Sequence, residues 1–150
     1  MTSLINPAVT WTASTAEHPA RAASWRAYDA LVRKDKDAYL AAYAEDGVIH
    51  DPVGPSDADP EGAGHRGRVA ISQFWDKMIA PIEQFRFTWN LSYAAGNEVA
   101  NVGRVTAFLP GDLVMDIDCV FVYQVNDEGL LVSVRGYYEA EQAGNSVRKR

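Results

Sequence analysis

Residues 85–93 read Phe-Arg-Phe-Thr-Trp-Asn-Leu-Ser-Tyr, so that Phe85, Phe87, Trp89, Leu91 and Tyr93 alternate with Arg86, Thr88, Asn90 and Ser92. A period of two is that of a strand with one dry face and one wet face. Turn residues recur downstream, at Ala95-Gly96-Asn97, Pro110-Gly111 and Asn126-Asp127-Glu128-Gly129. They divide the second half into further strands of about 98–109, 112–125 and 130–141.

Upstream the period changes. Pro19 suits the first turn of a helix, where its missing N–H costs nothing, and Trp25, Tyr28, Leu31 and Val32 then recur at helical spacing. The charged Lys34–Asp37 stretch breaks this face, and a shorter second helix presents Tyr39, Leu40 and Tyr43 inward. Val48-Ile49-His50-Asp51 reads as a short strand ended by Pro52. Residues 52–67 hold three Pro and four Gly and form a loop of the length that serves as a lid or binding segment. A third helix runs from about Arg68 to Ile79 and stops at Pro81. Helices precede a strand meander, which makes the chain α+β, three N-terminal helices packed on a curved, mostly antiparallel sheet. Such a sheet leaves a cone with one closed end and one open mouth.

The chain has 150 residues, 47% hydrophobic and 23% charged, the composition of one ordinary globular domain. We read residues 1–17 as an arm with Trp11 docking on the body, 18–142 as the domain, and 143–150 as a flexible basic tail. A net charge of −6 argues against a nucleic-acid partner, which needs a clustered basic face. No apolar run reaches the roughly 18 residues of a membrane span. The N-terminus lacks a secretory pattern, and the lone Cys119 forms no internal disulfide. A cytoplasmic location is expected.

The three histidines, His18, His50 and His65, lack the close spacing of zinc ligands, so no metal is expected. There is no nucleophile elbow, and Gly62, Gly64 and Gly67 lack the Lys-Ser/Thr ending of a phosphate loop. Cofactor-free proton chemistry remains. Asp51, ending an apolar strand, would face the mouth, where apolar walls raise its pKa and make it a usable base; it reads equally as a turn-initiating Asp before Pro. Tyr28, on the apolar helix face, is either a core tyrosine with a backbone partner or a donor to a substrate oxyanion, and Tyr43 offers the same choice. Asp116 and Asp118 share one face of a strand. A two-residue Pro110-Gly111 turn would set them opposite Val105 and Gly103, and whether that face looks inward stays open.

Several stretches resemble the nuclear transport factor 2-like superfamily, in particular its ketosteroid isomerase and SnoaL-like group. They are Tyr43-Ala44-Glu45-Asp46-Gly47-Val48-Ile49-His50-Asp51-Pro52-Val53-Gly54, Gly64-His65-Arg66-Gly67 leading to Ile71-Ser72-Gln73-Phe74-Trp75, and Asn126-Asp127-Glu128-Gly129 leading to Arg135-Gly136-Tyr137-Tyr138. The resemblance implies the cone-shaped fold and a homodimer. It also implies an allylic isomerisation of a compound such as a 3-oxo-Δ5 steroid, with Asp51 as general base and Tyr28 as oxyanion donor. Tyr43 falls on a tyrosine that hydrogen-bonds that donor. The second donor of the group is an Asp kept neutral by its apolar site. Counted back from Gly129, its position holds Phe121, and a bulge would bring Asp118 there instead. Trp75, Phe87, Phe121 and Tyr138 are expected to wall the pocket. The same family admits a SnoaL-type polyketide cyclase or a non-catalytic module that binds a steroid-like or aromatic molecule.

Overall fold

The computed structural model describes residues 5–150. Residues 1–4, the tip of the expected arm, lie outside the described residues. From residue 5 the arm is tied down: strand β1 (Val9–Trp11) pairs in parallel with β4 (Gln84–Ala95), and Trp11 meets Trp25 edge to face at 5.3 Å.

Helix α1 (Pro19–Arg33) opens on His18, whose Nδ1 accepts from the Ala20 amide. It closes on Lys34 in the left-handed region at φ 55°. Asp35 then accepts from the Ala38 amide and caps α2 (Lys36–Ala41), so the charged break is a C-cap joined directly to an N-cap. Tyr43 opens β2 (Tyr43–His50) and does not extend α2. A two-residue strand β3 (His65–Arg66) crosses the long loop's end, and α3 (Gly67–Phe74) runs on into a π-turn at Trp75–Ile79. The Lys34 ammonium donates to the carbonyls of Ile79, Ala80 and Ile82, fixing that turn to the end of α1.

The sheet runs β1-β4-β5-β6-β7-β2-β3, with β5 (Glu98–Leu109), β6 (Leu113–Val125) and β7 (Leu131–Tyr137) antiparallel in series and β2 parallel to β7. Helix α1 packs across β4, β5 and β6. The chain's mixed α+β architecture and cone shape follow from this curved sheet and the helices it holds. No helix among the described residues is long and apolar enough to cross a membrane.

Three local features depart from the sequence reading. In β4 the register slips between Trp89 and Leu91, a bulge that reverses which side chains face inward. Phe85, Phe87 and Trp89 are buried, but beyond the bulge Ser92 is buried while Leu91 and Tyr93 are 46% and 64% exposed. Gly103 permits it: a Cβ there would sit 1.9 Å from the Thr88 carbonyl oxygen. Second, the β5–β6 loop has three residues, because Leu109 pairs with Leu113, and Gly111 and Asp112 both take positive φ. Asp116 therefore opposes Thr106, and Asp118 opposes Arg104. Third, the expected flexible tail is structured: α4 (Ala140–Asn145) is followed by β8 (Arg148–Lys149), which pairs with Leu113 and Val114 of β6. Arg148 has a reason to stay there, its guanidinium 2.9 Å from the Asp116 carboxylate.

Candidate functional site

Inward-facing side chains of the sheet and helices enclose a cavity of about 150 Å³. Its walls are aromatic and aliphatic, among them Phe85, Phe87, Trp89, Ile117, Phe121 and Tyr123 from the sheet. Leu31 and Ile82, half-buried, and Met78, 39% exposed, lead from it toward solvent. The titratable groups on this surface are few: the carboxylate of Asp51 and the phenols of Tyr28, Tyr39, Tyr43, Tyr123 and Tyr138.

Asp51 follows the last residue of β2 and precedes Pro52 in a cis peptide bond. Its Oδ1 accepts the Tyr138 hydroxyl proton at 2.7 Å. Burial of the carboxylate raises its pKa above the ordinary carboxylate value, opposed by the Tyr138 hydrogen bond and, more weakly, by nearby His65. Desolvation wins, and the result is a stronger base than an exposed aspartate.

Tyr28 is 1% exposed. Its ring packs across Phe87, at 4.9 Å, and Trp89, at 5.0 Å, and meets Tyr123 edge-on at 5.7 Å. Its oxygen accepts from Asn101 Nδ2 at 2.8 Å. Burial pushes its pKa well up, against the opposing effect of the neighbouring Tyr123, Asn101 and Ser24 side chains, so the phenol is neutral at working pH and keeps a proton to donate. Tyr43 does not bond to Tyr28: its hydroxyl donates to Tyr39 at 3.1 Å, because as the first residue of β2 it points toward α2.

The structure brings Asp51, Tyr28, Tyr43, Phe87, Phe121 and Tyr138 onto one cavity. Two expected members lie elsewhere. Trp75 is buried behind the wall against Tyr39, at 5.1 Å, and its neighbour Phe74 takes the lining position, since consecutive helical residues point to different sides. Asp118 lies on the outer face of the sheet, where it accepts from Arg104 Nε at 2.7 Å. The three-residue loop sets this parity: Ile117, Cys119 and Phe121 face inward, and the carboxylates between them face outward. Asp116 is out there too, held below the usual carboxylate range by Thr106, Arg148 and Arg104 against its partial burial. Cys119 is buried on the inner side, its thiol pushed up to about 12 by desolvation, which keeps it protonated and inert.

Asn101 and Ser92 escaped the sequence reading, and Tyr39, read as an inward helix residue, and Tyr123 were not assigned to the site. Asn101 was detectable as the one amide at an inward position of an apolar strand, between Val99 and Val105. Ser92 was not, because its inward orientation depends on the bulge. Among the described residues no three His, Cys, Asp or Glu side chains converge on a point that could hold a metal ion.

A SnoaL-like domain family model matches residues 25–134. Among solved structures, the Δ5-3-ketosteroid isomerase of a Mycobacterium species is 29% identical, with 88% of this chain and 98% of that one covered, at a TM-score of 0.78. RV0760c of Mycobacterium tuberculosis, solved in complex with estradiol-17beta-hemisuccinate, is 30% identical over 84% of this chain and 98% of that one, at a TM-score of 0.78. A computationally designed 17-OHP binder is 32% identical over 84% and 96% of the two chains, also at 0.78. No curated protein is significantly similar in sequence.

Proposed function

The chain belongs to the SnoaL-like domain family, with the fold of the nuclear transport factor 2-like ketosteroid isomerases, and from that premise we propose that it is a cofactor-free isomerase of hydrophobic carbonyl compounds such as 3-oxo-Δ5 steroids. The observation that carries the reading is that the basic carboxylate of Asp51 and the neutral buried phenol of Tyr28 open onto the same apolar cavity. Asp51 removes a proton from the carbon next to the carbonyl. The electron pair moves onto the carbonyl oxygen, which accepts a hydrogen bond from Tyr28. The protonated Asp51 then returns the proton to the more distant carbon of the dienolate, and the double bond ends in conjugation. No atom or electron is gained or lost. Apolar walls exclude water and strengthen both polar contacts.

The enclosed space is below the usual range of roughly 300–1,000 Å³ for ligand pockets. It therefore takes the reacting ring, and the remainder of a larger substrate extends past Leu31, Met78 and Ile82 at the open end. A homodimer through the outer sheet face, where Leu91, Tyr93 and Tyr137 are exposed, belongs to the same proposal. The test is the isomerisation of a 3-oxo-Δ5 steroid followed by the absorbance of the conjugated product. Wild type turns over and Asp51→Asn does not; equal rates in the two remove the reading.

One observation favours a second reading, a module that binds such a molecule without turning it over. Phe121 occupies the wall where a second acid would stand, and Asp118 faces away, so Tyr28 has no carboxylic acid beside it. Loss of one oxyanion donor typically costs on the order of 3 kcal/mol of transition-state stabilisation. Tight binding of a steroid or aromatic ligand by wild type, with no turnover, would establish this alternative.

A further inference from the structure

Arg21 is 3% exposed yet takes part in none of the ion pairs among the described residues. Its guanidinium donates only to neutral oxygens: Nε to Ser92 Oγ at 3.0 Å, and the terminal nitrogens to the carbonyls of Ala16 and Ser92 at 2.6 and 3.2 Å. A buried cation without a counter-charge is costly, and arginine cannot discharge itself by losing its proton. Tethering the arm through Ala16 accounts for one of these bonds. The bonds to Ser92 lead inward.

From Arg21 the direction of every bond is forced. Arg21 can only donate, so Ser92 Oγ accepts from it; and because the Ser24 hydroxyl is bound to the Arg21 carbonyl and takes an N–H of Asn101, Asn101 Oδ1 is left to accept the Ser92 proton, at 2.7 Å. This fixes the Asn101 amide, whose two N–H groups go to the Tyr28 oxygen at 2.8 Å and to Ser24 Oγ at 3.1 Å. The Ser24 hydroxyl is itself spent on the Arg21 carbonyl at 2.7 Å. The Tyr28 oxygen thus accepts from Asn101, its own proton has no acceptor among the described residues, and that proton is the group left to offer to the cavity. Such chains polarise each successive donor in one sense. The bulge at Asn90 and the Ser92–Asn101 strand pair put the middle of the chain in place.

We propose that Arg21 is a positioning residue for Tyr28: through Ser92 and Asn101 it orients the phenol so that its proton faces a ligand oxygen, and it makes that proton a stronger donor. The effect on a ligand rests on the reading of Tyr28 as the oxyanion donor. The effect on the phenol does not.

The experiment places 3-fluorotyrosine at position 28 and follows its fluorine signal against pH in the ligand-free protein. Arg21→Met weakens the acidity of this phenol by roughly tenfold, Arg21→Lys restores most of it, and the same probe at position 39 does not respond. Ser92→Ala, which keeps the Arg21 bonds to the Ala16 and Ser92 carbonyls, gives a shift in the same direction and serves if Arg21→Met fails to fold. An unchanged titration at position 28 in the folded variants overturns the proposal. Steroid turnover is measured in parallel: Arg21→Met lowers kcat and spares KM, and lysine rescues it. If Tyr28→Phe leaves turnover intact, the reading of the site fails, while the fluorine titration still decides the relay.

Discussion

The hydroxyl of Tyr138 donates to the Asp51 carboxylate at 2.7 Å. The two residues are 87 positions apart, each just beyond the end of a strand, and those strands lie side by side in parallel, His50 opposite Arg135. Strand pairing thus delivers a donor to the base, and the donor opposes the desolvation that raises the base's pKa. How basic Asp51 is depends on the balance of the two.

Tyr138→Phe removes the opposing effect and raises the Asp51 pKa further. Proton abstraction needs the carboxylate, so the acid limb of the pH–rate profile moves to higher pH. Steady-state rates across the acid range check this; a limb that stays in place would show that Tyr138 does not tune the base.

Asp51→Asn makes the folded protein more stable at neutral pH. The native carboxyl holds its proton more tightly than in the unfolded chain, so between the ordinary value of 3.8 and the raised native value the native state binds more protons. Wild-type stability therefore falls as pH rises through that window. An asparagine carries no such penalty and still accepts from Tyr138. Urea unfolding should find the variant ahead of wild type at pH 7, with the gap closing as pH falls through that window and gone below about 4.

On the proposed reading, Tyr28→Phe deletes the hydrogen bond to the developing oxyanion and keeps the ring packed on Phe87 and Trp89. We expect kcat to fall on the order of 10²–10³-fold and the affinity for substrate to change little, in single-turnover and binding measurements.

Asp118→Asn leaves turnover within about twofold of wild type and stability within about 1 kcal/mol, the ceiling for an exposed ion pair. A loss comparable to that of Tyr28→Phe in the same assay would mean that this carboxylate reaches the site.

The parts of this arrangement that follow from local periodicity were legible in the sequence. Trp25, Tyr28 and Leu31 mark one helix face, Phe85, Phe87 and Trp89 one strand face, and Asp51-Pro52 the end of a strand. What escaped depends on how strands meet. Asp112 takes a left-handed conformation that glycine more often supplies, so Pro110-Gly111 reads as a two-residue turn, and one residue of error exchanges the faces of Asp118 and Ile117. The bulge at Asn90 is set by the close approach of Gly103 on the next strand, which nothing in residues 85–93 reveals. Both are properties of a strand pair and neither strand holds them alone. The burial of Arg21 depends in turn on that bulge, because only beyond it does Ser92 face inward.

The central claim, that Asp51 and Tyr28 act on a single carbonyl compound in a single cavity, is tested most directly by hydrogen exchange. A cyclic 3-oxo steroid is incubated in D₂O with the protein, and the loss of its proton signals next to the carbonyl is followed by NMR. The account predicts exchange catalysed by wild type, slowed on the order of 10²–10⁴-fold in Asp51→Asn and also slowed in Tyr28→Phe. Bound steroid whose α-protons exchange no faster than in buffer, or exchange at the wild-type rate in both variants, would contradict it.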